Sequence, residues 1–296
     1  MKQLRRTMLY VPGNNPGMIK DADIYAADCI MFDLEDSVST NEKDAARHLV
    51  HEALRTFDYN GKEIIVRINA LDTEMGVQDL EAIVCTGRAA VRLPKTEKAQ
   101  DIIDCEHEIA RIEKKCMFVE GSTKMMAAVE TAKGVLNAQE IALASERLIG
   151  IALGAEDYVT DLGTTRSSSG IELLFGRSMV LLAARAAGID AIDTVYSDIN
   201  NEDGFREETA HIKQLGFDGK SVIHPRQIRI VHEIFSPTMD EIEKAVAIME
   251  AVHDAHCKGS GVASLNGKMI DKPIALRAQR IIDLAAASGT QLRGDQ

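Results

Sequence analysis

Eight short apolar runs recur along the chain, at residues 7–11, 28–34, 63–68, 89–93, Met125–Val129, Leu148–Leu153, 191–196 and 221–223. Each is almost continuously hydrophobic rather than alternating, the pattern of a strand covered on both faces. Between most of them lie stretches with helical periodicity. In Lys43–Thr56, Ala46, Leu49, Val50 and Leu54 fall on one stripe, and residues 171–187 form another such stretch that Gly188 should stop. Eight strands alternating with helices predict an α/β fold, a closed (β/α)8 TIM-type barrel. An open doubly wound sheet is the alternative architecture.

The pattern changes near Ser236. Thr238-x-x-Glu241 has the form of a capping box, after which Ile242, Ala245, Val246, Met249 and Val252 form one stripe. Gly259-Ser260-Gly261 should break that helix. Val262–Leu265 and Lys268–Ile270 flank Asn266-Gly267, the strongest short hairpin signal. A last helix should follow Asp271-Lys272-Pro273 and run to Ala287. The expected organisation is a barrel over residues 1–235 with a helix–hairpin–helix extension over 236–296. A two-stranded hairpin is marginal alone, so Val262, Leu265, Met269 and Ile270 are expected to pack on another surface, such as a second copy.

Composition narrows the function classes. Of 296 residues, 45% are hydrophobic and 27% charged, which excludes wholesale disorder. Aromatic residues make up 4% and the net charge is −12, a poor match to a nucleic-acid surface. No apolar stretch is long enough for a membrane span, and residues 1–6 carry charge without an apolar run behind them, so neither a membrane segment nor a signal peptide is expected. Five cysteines without a CxxC pair read as reduced thiols, and the expected location is cytoplasmic.

In a parallel barrel the chemistry gathers at the carboxyl ends of the strands. Polar residues follow nearly every predicted strand: Asp33-Leu34-Glu35-Asp36, Arg67-Ile68-Asn69, Pro94-Lys95, Glu130-Thr131, Gly154-Ala155-Glu156-Asp157 and His224-Pro225. Glu130 and Asp157 form the sharpest pair, expected to face one another from adjacent strand ends. Two close carboxylates repel unless a proton or cation lies between them, and oxygen-only ligation suits Mg2+ or Mn2+. The bland alternative is that both are surface loop residues. Asp33, Glu35 and Asp36 can ligate an ion or support it through waters, or Asp36 or Ser37 can cap the next helix. Arg67 is suited to capture a substrate carboxylate in two-pronged fashion. Lys95 is a candidate anion-binding lysine or, alternatively, a Schiff-base nucleophile. Asp271 reads locally as a helix N-cap. Gly219-Lys220-Ser221 imitates a P-loop but lacks its first glycine, no His-Glu pair extends to HExxH, and His253 and His256 read as a solvated helix face.

The segments Met8-Leu9-Tyr10-Val11-Pro12-Gly13, Phe32-Asp33-Leu34-Glu35-Asp36-Ser37-Val38, Val66-Arg67-Ile68-Asn69, Leu93-Pro94-Lys95 and Gly154-Ala155-Glu156-Asp157-Tyr158 resemble, in order and over essentially the whole chain, the citrate lyase β-subunit family. That family belongs to the metal-dependent aldolases of the phosphoenolpyruvate/pyruvate barrel superfamily. The resemblance implies a retro-Claisen lyase that splits a citryl thioester into oxaloacetate and an acetyl thioester. It implies a Mg2+ ion (Mn2+ possible in its place) on Glu130 and Asp157, substrate binding by Arg67, Glu130 and Lys95, support from Asp33, Glu35 and Asp36, and an Asp271 delivered from a neighbouring subunit. The implied partners are an acyl-carrier subunit and a transferase subunit, with a CoA thioester as surrogate substrate and a homotrimer or hexamer as the assembly. Lys268, Lys272, Arg277 and Arg280 can receive an acidic carrier. A malyl-CoA-type lyase or thioesterase, or an aldolase working through Lys95, is the competing activity.

Overall fold

The structure, a computed structural model, describes residues 3–257 and 262–289. The chain divides into a unit spanning Arg5–His232 and a second unit made of the first few residues and the segment from Glu233 onward.

In the first unit eight parallel strands close on themselves: β1 Thr7–Pro12, β2 Cys29–Asp33, β3 Glu63–Arg67, β4 Ala90–Leu93, β5 Met125–Val129, β6 Leu148–Leu153, β7 Asp190–Asp193 and β8 Gly219–Val222. β1 pairs with both β2 and β8, so no edge is left open. The expected barrel is therefore the observed one, and the open sheet is excluded. Helices Lys43–Thr56 and Leu174–Ala187 cover the outside at the positions their stripes predict. Gly188 ends the second of these at φ 72°, a conformation that side chains rarely adopt.

Strand side chains alternate, so the barrel interior can be read at every second residue. One interior layer is apolar: Met8, Cys29, Met31, Ile65, Ala90, Met126, Ala152 and Ile192, all buried. Two residues further toward the carboxyl ends, the same inward positions hold Tyr10, Asp33, Arg67, Arg92, Gly154 and Thr194. The interior thus changes from hydrocarbon to charge within one step of the pleat. That step sets the floor of the site described below.

Ion pairs fasten the rest of the barrel. Arg5 bridges Glu63 and Asp190, and Arg6 holds Asp28, where β2, β3 and β7 begin. Lys220, fully buried, donates to Asp193, Glu208 and the Thr194 carbonyl at 2.7–2.9 Å, and Arg177 joins the same carboxylates. Every ammonium hydrogen of Lys220 is thereby engaged, which agrees with the rejection of Gly219-Lys220-Ser221 as a phosphate loop.

In the second unit Thr238 and Glu241 form the expected reciprocal cap on helix Met239–Cys257. The hairpin Ala263–Leu265 and Lys268–Ile270 turns at Asn266 and Gly267, both with positive φ. Helix Lys272–Ala287 packs on Met239–Cys257. Val262 and Met269 are exposed in the single chain. The expected break at Gly259–Gly261 lies outside the described residues. No helix among the described residues is long and apolar enough to cross a membrane, and none of the five cysteines forms a disulfide.

Glu113 on helix Ala99–Lys115 shows how strongly the outer shell is tied together. Burial alone would raise its pKa, but two bonds from Arg147 and the amides of Thr123 and Gly121 bring it down to about 2. Its folded-state pKa lies below its unfolded value near 4.5, so its contribution is complete above pH 4.5 and fades as the pH falls toward 2. Glu113→Gln should cost about 3 kcal/mol at neutral pH by removing the charge that Arg147 grips with both terminal nitrogens, leaving it Glu106 alone as an ion pair. Thermal melts should show that deficit shrinking below about pH 4.5, where the unfolded parent chain binds the proton that the folded carboxylate still refuses.

Candidate active site

Two cavities open at the carboxyl end of the barrel and share Glu130 and Asp157 in their walls. One, of about 450 Å³, is floored by the charged interior layer: Tyr10, Asp33, Arg67, Arg92 and Thr194. The other, of about 710 Å³, has an apolar wall of Leu71, Val77, Leu80, Leu93 and Pro94 and a border where Lys95, Lys98 and Lys133 alternate with Asp72, Glu97, Asp101, Asp104 and Glu108.

Register explains how the first cavity acquires its charge. Asp33, Arg67 and Arg92 are direct neighbours on β2, β3 and β4. Arg67 grips Asp33 with Nε and Nη2 at 2.7 and 2.8 Å, and Nη1 lies 3.1 Å from Asp36. Asp33 also accepts the amides of Glu35 and Ser37, which fold the chain after β2 into a tight turn. Burial would raise the Asp33 pKa, but Arg67 and these donors hold it below the usual carboxylate range. The expectation that Asp36 or Ser37 caps the next helix is not met, because that helix begins only at Lys43. The capping type of bond goes to the turn instead.

Glu35 sits behind this pair. Arg67 Nη1 approaches its Oε2 to 2.8 Å without hydrogen-bond alignment, so that buried oxygen has a cationic neighbour but no donor. Lys95 Nζ reaches the other oxygen at 3.0 Å. Burial dominates and lifts the Glu35 pKa to about 7. The hydrogen bond to Glu35 raises the pKa of half-exposed Lys95. A Schiff-base nucleophile needs the opposite shift.

Glu130 directly follows β5 and is 4% exposed. Among the described residues its carboxylate accepts one hydrogen bond, from the Lys95 amide at 3.2 Å, and Lys95 adopts positive φ in the turn that presents it. Burial pushes the Glu130 pKa up, Arg92 and Arg67 oppose this, and Asp157 adds to it. Asp157 differs from its expected position. It lies not at the end of β6 but in the first turn of helix Ala155–Asp161, four residues on, and is exposed to the cavities. Its carboxylate makes no hydrogen bond or ion pair with another described residue. Glu130 and Asp157 are brought to shared walls, whereas Asp271 belongs to the second unit, where it caps helix Lys272–Ala287 through the Ile274 amide at 2.9 Å.

Among the described residues no three His, Cys, Asp or Glu gather into a ready-made cation cage. The donor set at the cavity junction is two carboxylates with no ion-pair partner among the described residues. It fits Mg2+, which takes oxygen ligands, keeps several waters and commonly binds through one or two carboxylates plus substrate oxygens.

One residue of the charged floor escaped the strand-end reading, because it lies inside an apolar run rather than after it. Arg92 is 3% exposed and faces the first cavity. The available signal was its place two residues beyond Ala90 on the inward face.

Residues 6–225 match the family model described as HpcH/HpaI aldolase/citrate lyase. The chain is 57% identical over 285 residues to the citrate lyase subunit beta of Escherichia coli strain K12, covering 96% of this chain and 94% of that one. It is 38% identical over 282 residues to a (3S)-malyl-CoA thioesterase of Cereibacter sphaeroides, covering 95% of each. Among solved structures it is similar to CitE from Mycobacterium tuberculosis in complex with magnesium, acetoacetate and coenzyme A. That similarity has a TM-score of 0.77 at 31% identity and covers 97% of this chain and all of the other.

Gly154 offers a test of the Glu130 placement. Its φ of −96° and ψ of 97° suit alanine, but a Cβ there would stand 2.5 Å from Glu130 Cγ and 2.6 Å from Oε1. Gly154→Ala is therefore expected to displace the carboxylate and lower turnover about 100-fold, with circular dichroism and thermal melting nearly unchanged. Undiminished turnover would show that catalysis does not need Glu130 in that position.

Proposed function

The chain belongs to the HpcH/HpaI aldolase/citrate lyase family, and from that premise we propose that it is a magnesium-dependent citryl-thioester lyase. It cleaves a citryl group, held on an acyl carrier or on coenzyme A, into oxaloacetate and an acetyl thioester. The observation that carries this reading is the pair Glu130 and Asp157, two carboxylates with no ion-pair partner among the described residues, at the junction of a charged cavity and an apolar-walled one. The charged cavity suits the hydroxy-acid head, and the apolar wall of the other suits the thioester arm.

Glu130 and Asp157 would hold the Mg2+ ion, which when bound would supply Lewis-acid stabilisation of the negative charge on the deprotonated substrate hydroxyl before the carbon–carbon bond breaks. Asp33 fixes Arg67 in place, and the second hydrogen on Arg67 Nη2 is directed to the substrate carboxylate. Glu35 and Asp36 steady Arg67 and Lys95 from behind. The Lys95 amide keeps Glu130 oriented while the Lys95 ammonium adds positive charge for substrate binding. Proton balance closes within the reaction: the hydroxyl loses a proton and the departing thioester carbon gains one. Asp271 of a neighbouring subunit supplies the second proton in this reading, which gives the assembly a catalytic reason. The chain works with an acyl-carrier subunit and a transferase subunit, its basic residues Lys268, Lys272, Arg277 and Arg280 meeting the acidic carrier.

The test is an assay of the purified protein with citryl-CoA, following oxaloacetate. EDTA should abolish release and added Mg2+ restore it, and Glu130→Ala or Asp157→Ala should each lower the rate roughly 1,000-fold. Release that persists in EDTA would refute the reading. Appearance of free thiol and citrate in place of oxaloacetate would assign a thioesterase instead.

A further inference from the structure

Of the two guanidinium groups at the floor of the charged cavity, only Arg67 has carboxylate partners. Arg92 lies beside it in register on β4, yet no acidic group among the described residues comes within ion-pair distance of it. Its Nε is buried without any hydrogen-bond partner, and Nη1 has only the weakly accepting sulfur of Met8, at 3.7 Å. Both guanidinium groups flank the face of Tyr10, at 5.3 Å for Arg67 and 5.8 Å for Arg92. A buried guanidinium without an anion is costly to keep, and cores do not retain one for packing alone. The cavity it faces is where an anion can enter.

Resting on the lyase reading above, we propose that Arg92 binds the second free carboxylate of the substrate and makes the site selective for citryl over mono-carboxylate analogues. A citryl thioester carries two free carboxylates. One is next to the hydroxyl and belongs with the Glu130/Asp157 corner; the other, on the remaining carboxymethyl arm, stays on the oxaloacetate product. Arg67 has most of its donors engaged by Asp33, Glu35 and Asp36, so its charge is largely balanced within the protein. Arg92, one strand away, keeps its charge unbalanced and its Nη2 without a partner among the described residues. Arg92 thus reads the feature that separates citryl from malyl thioesters and oxaloacetate from pyruvate.

Calorimetric titration of the Mg2+-supplemented protein with oxaloacetate and with pyruvate tests this directly. In Arg92→Met, which keeps the buried bulk and removes the charge, oxaloacetate affinity should fall about 100-fold while pyruvate affinity changes less than about threefold. Arg92→Lys should recover part of the oxaloacetate affinity. Retained pyruvate binding also reports that the variant is folded. Equal weakening of both ligands, or of neither, would overturn the assignment. If instead the parent protein shows no Mg2+-dependent cleavage of citryl-CoA, it is the lyase reading that fails. Cleaving parent protein with unchanged ligand selectivity in Arg92→Met removes only the role of Arg92.

Discussion

Charge buried at the mouth of this barrel must be neutralised, and which partner neutralises each group decides what the site can do. Asp33 and Arg67 satisfy each other through two short parallel bonds, which leaves Arg67 little beyond the second hydrogen on Nη2 for a ligand. Glu130 and Arg92, both buried, line the same cavity with no such partner among the described residues. A carboxylate and a guanidinium left open side by side, rather than paired with one another, form a site waiting for a cation on one side and an anion on the other. A hydroxy acid with two carboxylates bound beside a divalent ion brings both.

The barrel makes this arrangement cheap to specify. Period-two alternation carries the inward positions from Met31, Ile65 and Ala90 to Asp33, Arg67 and Arg92 without any change in backbone geometry. The apolar layer below is solid, so the charged layer rests on packed hydrocarbon and faces only the cavity. Turns above the strands then complete the corner. The turn after β2 is folded by Asp33 itself, the turn after β4 presents the Lys95 amide to Glu130, and Gly154 leaves the volume that Glu130 fills. Residues far apart in sequence serve one carboxylate.

Much of this was legible in the sequence. Strands buried on both faces leave unbroken apolar runs, and all eight were found, Met125–Val129 and Leu148–Leu153 to the residue. Asn266-Gly267 and the Thr238/Glu241 box declared their turn and cap because those conformations demand particular residues. Two features were not legible for definite reasons. Asp157 was placed at a strand end, but Ala155 already starts a helix there, and an apolar run does not say where the next helix begins. Arg92 was overlooked because a charge inside an apolar run resembles noise until register shows which face it occupies. Asp271 remains ambiguous from sequence, since capping a helix and serving a neighbour call for the same side chain.

The account stands on Glu130 and Asp157 jointly anchoring a divalent ion. Binding of Mn2+ followed by electron paramagnetic resonance, without any substrate, measures that directly. The prediction is a single ion per chain, displaced by Mg2+, whose affinity collapses in Glu130→Gln and again in Asp157→Asn but persists in Arg92→Met. Undiminished binding in the Glu130→Gln/Asp157→Asn double variant would contradict it.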